Sequence, residues 1–542
     1  MAGGNNPSQR YDPDRFSASI VTLHGNGGSG VTISWTSSSG AVEDHWPATY
    51  RAAWEVSFGG SKTSAAAGGV ALGVRDGDAL GDDTGMADVA HAAATTAMST
   101  AGSTPRTVIR FAPIIACPLT PRPIVPFRHP IREIGVRVPA SKSVTNRELV
   151  LSAIAEGRSR LELGPLDPGD DVRAMRQALA ALGYRVEWDQ TFQVTVHGTE
   201  DPLPHATAPV NAAEAGTVGR FALALAALAD GETRFDGSDR LRERPLAPLV
   251  AALRELGATI DNDTMPLVVK GPLRGGHTSV PGNQSSQFAS ALLLIAPRMP
   301  EGLDLEITGS LVSAPFVDLT IAALQRRGVK VDAPTPDRVR IAHQKVKARS
   351  DSIPGDATAA TYPAAAAAIC RGSVTIENVD AHATQGGQGD VRFFDLIEKM
   401  GCKVARGRGR VTVSRVGGLQ GIVANVRDCS DVFPSLAVIA TQAATPTELG
   451  GIAHTRLQES DRIAAVAAGI NALGGRATAF ADSIRIEPAP LHEGVVDAKG
   501  DHRIAMAFSI LGLEVPGVAI EGAESVSKTF PNFYAMLKEL GR

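Results

Sequence analysis

Only four cysteines, Cys117, Cys370, Cys402 and Cys429, occur in 542 residues. They are too few for a disulfide framework and lack the paired spacing of a metal site, so a reducing, cytoplasmic setting is expected. No apolar run reaches the roughly 18 residues of a membrane span, and the first residues lack the charged-then-apolar order of a secretion signal. Charge of one sign is also scarce: 53 Lys and Arg stand against 57 Asp and Glu, a net charge of -4. Such a balance gives no footprint for nucleic acid, and any anion site must come from local clustering. No Walker loop, no Gly-x-Ser-x-Gly and no Gly-x-Gly-x-x-Gly after a strand is present. His502 has no neighbour at metal-ligand spacing. No metal site is expected.

Hydrophobic residues make up 43% and charged residues 20%, the balance of a globular protein with ample core. The length suggests about two to four domains. Residues 1–127 are rich in Gly, Ser, Ala and Thr without a helical or strand period, and Pro118 to Pro130 reads as a linker. The acids Asp76, Asp78, Asp82, Asp83 and Asp88 argue against an organelle transit peptide. This stretch is expected to be a disordered, low-complexity extension.

From about residue 131 a pattern repeats. Gly183, Gly257, Gly328, Gly401 and Gly474 each end a helix-like segment and open a pair of short strands, in steps of 74, 71, 73 and 73 residues. A second phrase recurs between them: small polar residues, then a helix apolar nearly all round. It opens at Ser141, Glu214, Gln284, Gly355, Cys429 and Gly500. Helices without a polar face are buried. The expected fold is therefore α/β: two similar domains, each of three βαβαββ units with helices inside and sheets outside, an inside-out α/β barrel. The last unit stops short at Gly541, and Ile134 to Val138 is expected to supply its missing strand. The boundaries expected are 143–348 for the first domain and 128–142 with 349–542 for the second. The chain then crosses between domains near Pro139 and near Ser350.

The stretch Ser141-Lys142-Ser143-Val144-Thr145-Asn146-Arg147 opens the first buried helix. Small polar residues suit a cap, and a helix start favours an anion. Basic residues track the repeats at Lys142, Arg147, Arg220, Arg244, Arg462, Arg503 and Lys528, with Asp431, Glu459, Asp501 and His502 nearby. Fixed cations facing one cleft suit ligands that carry phosphates and carboxylates. General acid–base work by Asp431, Glu459 and Lys142 fits such a cleft.

Seven motifs in order make residues 131–542 resemble the 5-enolpyruvylshikimate-3-phosphate (EPSP) synthase family of enolpyruvyl transferases. They are Ser141 to Arg147, Ala215-Gly216-Thr217-Val218-Gly219-Arg220, Arg242-Glu243-Arg244-Pro245-Leu246, Ser285-Ser286-Gln287-Phe288, Glu459-Ser460-Asp461-Arg462, Asp501 to Ala507, and Lys528-Thr529-Phe530-Pro531. The resemblance implies transfer of the enolpyruvyl group of phosphoenolpyruvate to the 5-hydroxyl of shikimate 3-phosphate, through a tetrahedral intermediate. Phosphate leaves, no cofactor takes part, and the product feeds chorismate and aromatic amino acid biosynthesis. By motif, shikimate 3-phosphate would be held by Lys142, Ser143, Arg147, Ser285, Ser286, Gln287, Ser313, Asp431 and Gln458. Phosphoenolpyruvate would meet Lys142, Gly216, Arg244, Gln287, Arg462, Arg503 and Lys528. Asp431 would take the hydroxyl proton, and Glu459 would exchange a proton at the methylene carbon. The partners expected are these two small molecules alone, for a monomer with no nucleic acid and no membrane.

Three positions depart from the family pattern. Ala140 stands where Gly precedes Ser-Lys-Ser, Gln458 where Lys or His precedes the Glu, and Glu214 where Asn precedes Ala-Gly-Thr. The rival readings are UDP-N-acetylglucosamine enolpyruvyl transferase, which usually carries a Cys in its first domain, and a weakly active or non-catalytic paralogue that binds phosphorylated ligands. No Cys lies within residues 143–348.

Overall fold

The computed structural model describes residues 120–199, 202–382 and 386–542, and the backbone of two strands in the N-terminal unit. Those strands, Phe16–Gly25 and Gly28–Ser37, pair antiparallel as a hairpin. Of the rest of the extension expected to be disordered (1–127), residues 120–127 are described and ordered against the fold, and the others lie outside the described residues. The chain divides into two units, 1–117 and 118–542.

The second unit carries six sheets of one design. In the third, Gly276–Pro281 lies parallel to Leu303–Thr308, which pairs antiparallel with Arg338–Ile341, and that strand pairs antiparallel with Asp332–Thr335. The buried helix Ser286–Ile295 links the parallel pair, and a second helix, Pro315–Arg326, leads to the hairpin. Parallel neighbours need such a crossover. Each recurring glycine sits just past a helix in positive-φ backbone: Gly183 at 87°, Gly257 at 112°, Gly328 at 82°, Gly401 at 105° and Gly474 at 79°. Only a residue without Cβ takes that conformation cheaply, so each glycine ends its helix.

The six linking helices are Lys142–Ala153, Val218–Ala226 (whose first turn is wide), Ser286–Ile295, Ala357–Cys370, Phe433–Ala440 and His502–Gly512. All residues of Ala357–Cys370 are buried, and five of them, Ala364 to Ala368, are alanines that permit close packing. Two hydrophobic cores result. One runs from Ala140 to Ile353, and the other joins Ile124 to Val138 with Ala357 to Leu540. No helix among the described residues is long and apolar enough to cross a membrane.

The two cores exchange strands. Ile131–Val136 lies parallel to Gly372–Ile376 in the second core's first sheet, while Ser350–Ser352 lies parallel to Arg158–Glu162 in the first core. The crossing segments run side by side: Ser141 N–H donates to Pro354 O at 2.8 Å, and Asp356 N–H to Pro139 O at 2.8 Å. Ala140 bridges Gly355 here in backbone that needs no positive φ, so alanine replaces glycine without strain.

Two expectations are corrected. The last sheet is not completed by residues 134–138, whose strand is already paired with Gly372–Ile376. It is closed by Arg122–Pro123, antiparallel to Ala519–Ile520, so part of the expected linker belongs to the fold. Ile124 is buried and donates to Val518 O at 2.9 Å. Proline is tolerated there because the strand is at a sheet edge. Ser141 is not a side-chain cap either: its hydroxyl has no partner among the described residues, and Asp356 of the second core accepts from Lys142 N–H at 3.2 Å.

Candidate active site

A cavity opens where the helix starts of both cores meet. The first core supplies Lys142, Ser143, Arg147, Thr217, Arg220, Arg244, Gln284, Ser285, Ser286, Gln287, Ser313 and Phe316; the second supplies Asp431, His454, Leu457 and Gln458. Ser285 caps its own helix by accepting from Gln287 N–H at 3.2 Å, leaving its hydroxyl hydrogen for the cavity. Ser313 is held in left-handed backbone at φ 53°, a costly state for serine. Its N–H donates to Arg427 O of the second core at 3.2 Å, and its hydroxyl lies 3.4 Å from Ser430 Oγ. Gln287 Oε1 is buried without a partner among the described residues.

Charge is dense and paired behind this wall. Arg462, 1% exposed, donates from Nη1 to Asp431 Oδ1 at 2.9 Å, from Nη2 to Glu459 Oε2 at 2.7 Å and from Nε to Asp501 Oδ2 at 2.8 Å. Arg503 Nη2 donates to Asp431 Oδ2 at 2.7 Å. Glu459 Oε1 lies 3.4 Å from Arg244 Nη1 and 3.5 Å from Lys528 Nζ. Gly216 lets Arg244 lie close against the backbone, because a Cβ there would fall 2.9 Å from both Arg244 Nη1 and Nη2 and displace the guanidinium.

These pairs set the protonation states. Burial by itself would raise Asp431, but Arg503 and Arg462 hold its carboxyl below the ordinary value. Burial opposes the ionised form of Glu459 too, and Arg244, Arg462 and Lys528 override it, holding the acid well below its usual range. Arg147 and Arg220 are both lowered to about 9 by burial, with Arg244 adding to the effect on Arg220. His502 is sealed inside and pushed well down by burial and then by Arg503, so it stays neutral.

The expected site residues fall into two shells of one region. Lys142, Ser143, Arg147, Arg244, Ser285, Ser286, Gln287, Ser313, Asp431 and Gln458 are on the cavity wall. Gly216, Glu459, Arg462, Arg503 and Lys528 are joined to that wall through Arg244 and Asp431. Arg147, expected to hold shikimate 3-phosphate, is on this wall with its donors engaged by the protein. It donates to Thr320 Oγ1 at 2.8 Å, Ser143 O at 2.8 Å, and Ser290 Oγ and Phe316 O at 3.1 Å, between the rings of Phe221 and Phe316. It braces the cavity floor.

The departures are accommodated. Glu214 Oε2 lies 3.5 Å from Lys528 Nζ, so its charge is paired. Gln458 turns its amide oxygen to Arg462 Nη1, and its carbonyl accepts from Arg240 Nη2 at 2.7 Å. Arg240, which alone reads as a solvated charge, thereby ties the two cores together. Sequence reasoning missed Asp171, whose Oδ2 lies 3.1 Å from Lys142 Nζ, although an Asp170-Asp171 pair at a helix start was a visible signal. It also missed His454, Ser430 and Asp390. Asp390 is buried beside Thr358 and pushed up to about 7, by burial first and then by Asp431.

Comparison with known proteins agrees with this geometry. The family model described as EPSP synthase (3-phosphoshikimate 1-carboxyvinyltransferase) matches residues 132–537. A 3-phosphoshikimate 1-carboxyvinyltransferase of Methanospirillum hungatei is 36% identical over 412 residues, 74% of this chain and 94% of the relative. One from Nostoc sp. is 35% identical over 427 residues, 78% of this chain and 97% of the relative. An EPSP synthase structure from Acinetobacter baumannii superposes with a TM-score of 0.65 at 25% identity, covering 77% of this chain and 97% of the other. The enolpyruvyl transferase NikO from Streptomyces tendae, at 17% identity and a TM-score of 0.58, shares the fold. The chain belongs to the EPSP synthase family.

Proposed function

We propose that the protein transfers the enolpyruvyl group of phosphoenolpyruvate to the 5-hydroxyl of shikimate 3-phosphate. The observation that carries this reading is the meeting of Lys142 and Arg244 from one core with Asp431 from the other around one cavity, with Glu459, Arg503 and Lys528 joined to its wall from behind. The hydroxyls of Ser285, Ser286 and Ser313 suit the 3-phosphate, and Lys142 reaches both substrates. Arg244, Arg503 and Lys528 suit the carboxylate and phosphate of phosphoenolpyruvate. Arg462 belongs with these cations and also orients Asp431 and Glu459, to which it donates at 2.9 and 2.7 Å.

In the addition step the hydroxyl oxygen bonds to C2 of phosphoenolpyruvate. Asp431 takes the proton of that hydroxyl, which leaves in the end on the departing phosphate, and C3 gains a proton by way of Glu459, resupplied by Lys528 Nζ 3.5 Å away. In the elimination step the C2–O bond to phosphate breaks and Glu459, ionised in its cationic surroundings, takes a proton back from C3. The fixed cations stabilise the charge that gathers on phosphate as it leaves. The reading includes two lobes, 143–348 and 128–142 with 349–542, supported by the two cores. It includes a monomer, and a reducing cytoplasm in keeping with the free buried thiols Cys370, Cys402 and Cys429.

Phosphate release from the purified protein tests the reading. Release is expected with shikimate 3-phosphate plus phosphoenolpyruvate and with neither alone. Release with UDP-N-acetylglucosamine in place of shikimate 3-phosphate would assign the protein to the other transferase.

A further inference from the structure

One segment of the first core reaches across the seam at two points. It is the short helix Asp239–Glu243, capped by Ser238 Oγ, which accepts from Leu241 N–H at 3.3 Å. Three arginines alternate along it: Arg240, Arg242 and, just past its end, Arg244. Leu241 is buried, and Arg242 donates from Nε and Nη2 to the two carboxylate oxygens of Asp236, both at 2.9 Å. These two residues fasten the segment to its own core. Residues four apart lie on one side of a helix, and Arg240 and Arg244 both meet the second core.

They meet the same residue there. Arg244 Nη1 lies 3.4 Å from Glu459 Oε1. Arg240 holds the main chain instead: its Nε donates to Glu459 O at 2.9 Å and to Gln458 O at 3.1 Å, and its Nη2 donates to Gln458 O at 2.7 Å. Neither carbonyl accepts from a backbone N–H among the described residues. Arg240 Nη1 turns back to Glu243 Oε2 at 2.9 Å, which fixes the plane of the guanidinium. Glu459 is thus gripped from the first core at both ends, its carboxylate by Arg244 and its backbone by Arg240.

We propose that Arg240 is a positioning residue for the proton transfer at C3 of phosphoenolpyruvate: by clamping the carbonyls of Gln458 and Glu459 it sets where the Glu459 carboxylate can reach. This deepens the enolpyruvyl-transfer reading and rests on it. Arg240 does not line the cavity, so it acts through Glu459 and not on a substrate. The cations that hold the Glu459 acid low are Arg244, Arg462 and Lys528. Arg240 therefore contributes place, and those three contribute charge. Hydrogen bonds from a charged donor to a carbonyl are strong and directional. A carboxylate that must give a proton to one carbon and take one back tolerates little displacement, and a shift of about 1 Å can cost on the order of 10²-fold in rate. Because both arginines come from the first core and Glu459 from the second, the proton-transfer group is complete only where the two cores meet.

Steady-state kinetics of R240A and R240K in H2O and in D2O test the assignment. R240A is expected to lose roughly 10- to 10²-fold in kcat. Its KM for shikimate 3-phosphate should stay within about threefold. Its solvent deuterium isotope effect on kcat should be larger than that of the unsubstituted protein, because proton transfer at C3 becomes slower than the steps around it. R240K keeps a cationic donor for the carbonyls and should recover part of the loss. An R240A kcat within about threefold of the unsubstituted value would overturn the assignment. So would a fall in kcat with an unchanged isotope effect, which would leave Arg240 as a fastener of the seam alone. If R240A does not fold, R240Q, a neutral donor of shorter reach, is judged by the same two criteria. Absence of phosphate release from the unsubstituted protein would instead remove the enolpyruvyl reading itself.

Discussion

Lys142 is the residue on which most of the site converges. It starts the first buried helix, is paired with Asp171 at 3.1 Å, and lines the cavity. Asp171 is itself buried, so truncating Lys142 to alanine would strand its charge. Lys142→Gln keeps a donor for Asp171 and removes the cation. That variant is expected to lose roughly 10²- to 10³-fold in kcat with its melting temperature held within about 2 °C. Steady-state kinetics beside a thermal melt checks this, and retained activity would remove Lys142 from the chemistry. Asp390 makes the second prediction. Its acid is raised from 3.8 to about 7, so its contribution to stability is present below the unfolded value and lost as pH rises through 7. It faces Asp431, Arg503, Asp356, Thr358 and Cys429. Asp390→Asn should therefore melt higher than the unsubstituted protein at pH 8, with a smaller decline between pH 5 and pH 8. Equal melting temperatures at pH 8 would contradict the shift. Lys142, Asp431 and Glu459 were legible because they stand in motifs. Asp390 and His454 were not, because a lone acid or imidazole carries no spacing signal and its burial depends on segments far away in the chain.

Among the elements, the short ones at the front of the fold carry the clearest consequence. Arg122–Pro123 closes the last sheet, Phe127 N–H donates to Leu513 O at 2.8 Å, and the Arg122 guanidinium lies 4.1 Å from the centre of the Tyr534 ring. Burying Ile124 contributes about 2 kcal/mol and the cation–π contact about 0.5–1 kcal/mol. A chain beginning at Arg128 should therefore melt several degrees below one beginning at Pro118, in a direct calorimetric comparison. Equal melting temperatures would mean that residues 118–127 add nothing. The recurring glycines and the six buried helices were readable from the sequence, since a helix stop and an all-apolar helix each have a local signature. Two-residue strands have none. Arg122–Pro123 and the exchange of Ile131–Val136 for Ser350–Ser352 are decided by pairing partners far away in the chain, Ser350 with Arg160 and Ile131 with Gly372.

At the scale of the molecule, two cores with one plan face each other across a polar seam. The seam is closed by contacts that do not involve a ligand: Arg240 to Gln458 O, Arg244 to Glu459, Lys528 to Glu214, and Ser527 Oγ to Asp170 Oδ2 at 2.6 Å. Arg244, Glu459 and Lys528 are largely buried in this seam, so breaking their pairs without a ligand to replace them would be costly. The repeat count and the six-sheet plan were visible in the period of about 72 residues. The seam was not, since its partners share no period. The most direct test of the account is a single-turnover reaction with excess protein, shikimate 3-phosphate and phosphoenolpyruvate, analysed by nuclear magnetic resonance. The account predicts one carboxyvinyl ether on the 5-oxygen for each phosphate released. Phosphate accompanied by free pyruvate and no ether, or an ether formed only on UDP-N-acetylglucosamine, would contradict it.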